Sequence, residues 1–161
     1  LALYKPAAAS MRTILETALY YTYFRTHISE LSTLVRNPRY FVYKSTLIDY
    51  HKIHTPNFTN LQNHFALIKS LNEWYNEISA IIHGQLPGVW VDHTSLSAIE
   101  HHDKTLPLVV DSFRQCEGIV HRLFLCTVGR ELWNGFSPTS KRKLIKGLSG
   151  DIRRDLGLDA T

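Results

Sequence analysis

Sulfur is scarce in this chain: two cysteines and one methionine among 161 residues. Cys116 and Cys126 fall in a stretch that reads as one long helix. At 1.5 Å per residue they lie about 15 Å apart, too far to bridge. They read as core thiols in a reducing compartment. No Cys-x-x-Cys or His-Glu-x-x-His spacing occurs, so the usual zinc signatures are missing and neither metal nor cofactor is expected. No apolar run approaches the roughly 20 residues that cross a bilayer, and no charged-then-apolar leader opens the chain. The reading is therefore cytoplasmic, with no membrane partner. Methionine is also missing from the first position, which is Leu1, and Met11 lies inside the first amphipathic pattern. This predicts a C-terminal domain or processed fragment of a longer protein.

What is present is a hydrophobic share of 44%, enough for one domain with a real core. Pro6 suits the first turn of a helix, and Met11, Ile14, Leu15, Ala18 and Tyr21 continue a helical stripe, predicting a helix from about 8 to 27. A short helix over 29–36 stops at Asn37-Pro38, because the residue before proline is pushed out of the helical region. Residues 45–54 form another, ended by Thr55-Pro56. The next runs from about 59 to 83 with a bend near Ser70. Gln85-Leu86-Pro87-Gly88 is a turn, and Val89-Trp90-Val91 is a loop or at most an edge strand. From Ser95 onward, Leu106, Val110, Phe113, Cys116, Val120, Leu123 and Phe124 mark a long helix reaching Trp133, with Pro107 near its first well-formed turn. Beyond it, two small amphipathic helices broken by Gly147 to Gly150 fit. The predicted fold is all-α: a bundle of four or five main helices over residues 1–135 and a basic helical appendage over 136–161.

The stretch Tyr75-Asn76-Glu77-Ile78-Ser79-Ala80-Ile81-Ile82-His83-Gly84 carries the most functional information. Leu71, Trp74, Tyr75, Ile78, Ile81 and Ile82 make one buried helical face, while Asn72, Asn76, Ser79 and His83 fall on another stripe. A polar row thus ends in a histidine just before a glycine able to cap the helix.

This segment resembles the signature helix of the HEPN superfamily, all-α domains common in bacterial toxin and phage-defence systems. The run Met11-Arg12-Thr13-Ile14-Leu15-Glu16-Thr17-Ala18-Leu19, with Tyr23-Phe24-Arg25-Thr26-His27-Ile28-Ser29-Glu30, is similar to the first helix of bacterial members. The resemblance implies a HEPN-like bundle over about residues 10 to 130, commonly paired as a homodimer through its signature helices. In catalytic members an arginine and a histidine, four to six residues apart, cleave RNA without a metal. The ribose 2′-hydroxyl attacks the neighbouring phosphate, the histidine moves a proton and the arginine offsets charge on the phosphate oxygens. His83 matches the histidine. The arginine's place is taken by Asn76, with Glu77 beside it; an amide supplies no charge and a carboxylate repels phosphate. Arg12 or Arg25 is the candidate to supply the missing charge. The expectation is a degenerate RNA-binding or assembly module of a bacterial defence or toxin system, partnered by RNA or by another domain or subunit of that system. The alternatives are a metal-independent ribonuclease using His83, and a helical dimerisation domain with no nucleic-acid role.

Other features have plainer readings. The formal charge is +4, and Lys141, Arg142, Lys143, Lys146, Arg153 and Arg154 contribute most of it. They are either a nucleic-acid footprint or the solvated face of terminal helices interleaved with Asp151, Asp155 and Asp159. Nine histidines are many for this length, but His51 and His54 (i, i+3) and His101-His102-Asp103 are the only tight groups, and no second ligand pair accompanies them. Arg25 and His27 close the first helix, where cations suit the dipole. Tyr20, Tyr21, Tyr23 and Phe24 are consecutive enough to point to different sides, so they make no stacking platform.

Overall fold

The computed structural model describes residues 3–85, 95 and 103–158. Among these the chain is helical, with no strand. Helix α1 spans Tyr4–Phe24. It buries Tyr4, Ala8, Met11, Leu15 and Leu19, the three-and-four spacing of a single helical face. It ends earlier than the sequence suggests. No basic residue lies in its last turn, and His27 is instead the N-cap residue of α2, Ile28–Arg36. Its imidazole Nδ1 nevertheless donates to the Tyr23 carbonyl in the last turn of α1 at 2.9 Å, so His27 still closes that helix, while the Arg25 guanidinium pairs with Glu131.

Helix α2 buries none of its residues and stops at Asn37 ahead of Pro38, as expected. Helix α3 spans Lys44–His54. The helix expected over 59–83 is in fact two, α4 at Phe58–His64 and α5 at Leu67–Ile82. The break falls at Phe65-Ala66, where Ala66 takes φ 47°, and not near Ser70. The cause lies in the apolar phase. Phe58, Leu61 and Phe65 bury one stripe, and Leu67, Leu71, Trp74, Ile78 and Ile81 bury a second. The second stripe starts one residue too early to continue the first, so an unbroken helix would carry one of them out of the core.

Helix α6 spans Thr105–Cys126, with Pro107 in its first turn as anticipated. It does not reach Trp133. Thr127-Val128 interrupts it before the short α7, Gly129–Leu132, and a 3₁₀ turn, Trp133–Gly135. Gly129 lets the chain turn there, because a Cβ at that position would stand 3.0 Å from the Phe124 carbonyl oxygen. Two capped helices follow. Ser137 accepts from the Ser140 amide to start α8, Pro138–Leu144, and Ser149 accepts from the Ile152 amide to start α9, Gly150–Leu156. Val89-Trp90-Val91 and His101-His102 lie outside the described residues.

The described helices group into two compact units. The first takes in residues 1–17 and 68–120, the second residues 18–67 and 121–161. In the first, Trp74 of α5 donates its indole N–H to the Ser112 carbonyl at 3.0 Å, and the Cys116 thiol of α6 donates to the Met11 carbonyl at 3.5 Å. In the second, Arg122 donates to the Phe65 carbonyl at 3.0 Å, a cation at the C-terminal end of α4 where the helix dipole favours it. His121 bonds the Leu144 carbonyl at the end of α8 at 2.9 Å.

Candidate functional site

Helix α5 carries the polar row read from the sequence, and the structure divides it. Asn76, Glu77 and His83 are exposed. The Ser79 hydroxyl is buried and has no hydrogen-bond partner among the described residues, so the row is not a continuous wet stripe. His83 sits one residue past the helix. Its amide still bonds the Ser79 carbonyl at 2.9 Å, and Gly84 follows at φ 67°. That left-handed turn ends the helix and leaves the imidazole at its rim.

Arg12 faces the same helix within the first unit. Its Nε donates to Glu16 Oε1 at 2.9 Å, and the Tyr75 hydroxyl donates to the same oxygen at 2.7 Å. The guanidinium also stands 4.8 Å from the Tyr75 ring centre, a cation over an aromatic face. Burial, helped by the Glu16 carboxylate, pushes the Tyr75 phenol up. One carboxylate thus holds both groups, and Arg12 is anchored beside Tyr75. That is eight residues before His83, about 12 Å along the helix axis.

Arg25 belongs to the second unit. Its guanidinium pairs with Glu131 at 2.5 Å. The basic residues near the chain end fall on two short helices of that unit. Lys141 stands 5.5 Å over the Trp133 ring, while Arg142, Lys143 and Lys146 are exposed. Arg154 pairs with Asp151, and the Arg153 Nε is buried without a partner among the described residues.

The two α3 histidines do not share an environment. His54 is exposed and His51 is 2% exposed. The Thr22 hydroxyl bonds the Leu19 carbonyl at 2.8 Å; because a carbonyl only accepts, Thr22 donates there. His51 Nε2, 2.9 Å from that hydroxyl oxygen, must then carry the hydrogen. Its Nδ1 accepts from Thr55 at 2.8 Å. Both ring nitrogens are satisfied, and burial pushes the imidazole down to about 4, so it is neutral at ordinary pH. Sequence spacing flagged this histidine as a ligand candidate but could not reveal the two threonines that hold it. Among the described residues no cluster of His, Cys, Asp or Glu could hold a metal ion.

His51 forms the floor of a pocket of about 360 Å³ within the second unit, rimmed by Arg25 and Glu131. No helix among the described residues is long and apolar enough to cross a membrane. Compared with family models, curated proteins and solved structures, the chain matches none.

Proposed function

We propose that this chain is a HEPN-like helical domain that works by binding and not by cutting, an RNA-binding or assembly module of a bacterial defence or toxin system. One observation carries the reading. Asn76 and Glu77 are displayed at exposed positions of α5 and His83 at an exposed position just past its end, while Arg12, the arginine held against that helix, is ion-paired with Glu16. Such a face can offer hydrogen bonds to phosphates and bases through the amide and the imidazole. Among the described residues it has no uncompensated cation to offset charge developing on a phosphate during cleavage, and Glu77 adds repulsion.

Fluorescence anisotropy with a labelled single-stranded RNA over a salt series tests this. Binding should weaken as salt rises, and His83→Ala and Asn76→Ala should each weaken it with the melting temperature unchanged. Incubation with total RNA in EDTA should leave the RNA intact. Cleavage abolished by His83→Ala would establish the ribonuclease alternative instead.

A second reading, assembly without RNA, is favoured by α2. Ile28, Leu31 and Val35 lie on one stripe of that helix and are 62%, 37% and 78% exposed, an apolar face of the kind that marks contact surfaces. A homodimer needs only one such self-complementary patch. Absence of RNA binding at low salt, with a dimeric mass in light scattering lost in Val35→Lys, would favour it.

A further inference from the structure

The pocket over His51 has a chemical polarity that follows from where its hydroxyl protons point. Thr22 donates to the Leu19 carbonyl, Thr26 to the Tyr23 carbonyl at 3.1 Å, and Thr127 to the Leu123 carbonyl at 2.7 Å. Thr55 donates to His51 Nδ1, as its tautomer requires. With the Thr26 proton committed, the Tyr50 hydroxyl, 3.3 Å away, donates to Thr26. Every hydroxyl lining the pocket therefore turns its hydrogen into the protein, and toward the cavity each is an acceptor. The Glu131 carboxylate at the rim adds acceptor capacity, since only its Oε2 is engaged by Arg25. His51 is held neutral and sets no positive charge on the floor.

We propose that this pocket is a binding site for a small organic ammonium ion, a primary alkylamine whose N–H₃⁺ is held by the hydroxyl oxygens of Thr55 and Thr127 and by Glu131, with its alkyl part against Val128 and Pro56. A primary ammonium brings three donors and no acceptor, the complement of these hydroxyl and carboxylate oxygens; the cation that shares the rim, Arg25, is paired with Glu131 Oε2 and leaves Oε1 to the ligand. The Tyr50 ring supplies an aromatic wall of the type that attracts cations. A volume of about 360 Å³ lies within the range of small-molecule sites. Because the chain carries a formal charge of +4, a cation does not collect on it through net charge, so saturable uptake would report a local site.

n-Butylammonium is the probe, followed by calorimetric titration and by proton NMR of the Tyr50 and His54 rings in the intact chain. Saturable binding is expected, shifting those ring signals. Glu131→Gln at the exposed rim keeps size and removes charge, and Thr127→Val removes one acceptor at equal volume; each should weaken binding about tenfold or more, the worth of a charge-assisted hydrogen bond. Tetramethylammonium, with the same charge and no N–H, should bind at least about tenfold more weakly. The proposal is overturned by any of three results: no saturable binding of butylammonium, equal binding of tetramethylammonium, or binding unchanged in both variants with helical circular dichroism retained.

Discussion

The Tyr75 hydroxyl donates to Glu16 Oε1 at 2.7 Å, tying the middle of the motif helix to the first helix of the chain through a carboxylate that Arg12 also needs. Tyr75→Phe deletes that donor and leaves the ring under Arg12. We expect a loss of about 1 kcal/mol in urea unfolding. Glu16→Ala should cost at least as much, because it removes the acceptor of two groups. If Tyr75→Phe were neutral, the shared-carboxylate account of Arg12 would fail.

Ser79 gives a prediction of the opposite sign. Its buried hydroxyl lacks a partner among the described residues, and alanine is the better helix former. Ser79→Ala should raise stability by about 1 kcal/mol, read as a higher denaturant midpoint with unchanged slope. A lower midpoint would mean that the hydroxyl has a role in folding.

His51 makes stability depend on pH. Its folded value is lowered by burial from 6.5 to about 4. Below pH 6.5 the unfolded chain therefore takes up a proton that the folded chain refuses. Stability is full above that value and falls as pH drops toward 4, then stops falling on this account. His51→Gln should lower stability at pH 8 and flatten the profile between pH 6.5 and 4. Parallel profiles for the two proteins would contradict the buried neutral imidazole.

The thiols report on the two units separately. Burial pushes Cys116 up to about 11 and Cys126 up to about 12, and both are 1% exposed. Neither should react with a thiol reagent at pH 8 until its surroundings open. In single-cysteine variants, Cys116→Ala and Cys126→Ala, mass spectrometry of labelling rates should give an opening rate for the second unit and the first respectively. Labelling at the rate of a free thiol would show that the site is already open.

Helix stripes and proline stops were the legible part of this fold. The ends at Asn37-Pro38 and Thr55-Pro56 and the paired terminal helices follow from local rules. The break at Phe65-Ala66 was hidden because a one-residue slip in an apolar stripe looks like a bend, and an alanine at positive φ leaves no glycine to mark it. The interruption after Cys126 was hidden for a related reason: apolar residues run on to Trp133, and the close approach at Gly129 is a tertiary fact. At the candidate site, exposure of Asn76 and His83 followed from periodicity. The engagement of Arg12 by Glu16 could be suspected from i, i+4 spacing, whereas the Tyr75 hydroxyl joins from 59 positions away. The hydroxyl lining of the pocket is drawn from several helices and has no local pattern to betray it.

Each compact unit is assembled from two separated stretches of chain, residues 1–17 with 68–120 and residues 18–67 with 121–161. No single cut can therefore release either unit whole. Removing the first 17 residues would take Met11 from Cys116 and Glu16 from Tyr75, so a deletion at that end strips the packing around the motif helix. The first unit also closes only when stretches of chain about 50 residues apart meet, at a loop-closure cost in entropy. Loss of activity after terminal trimming should accordingly be read as damage to the motif helix's support, not as evidence that the trimmed segment itself touches a ligand.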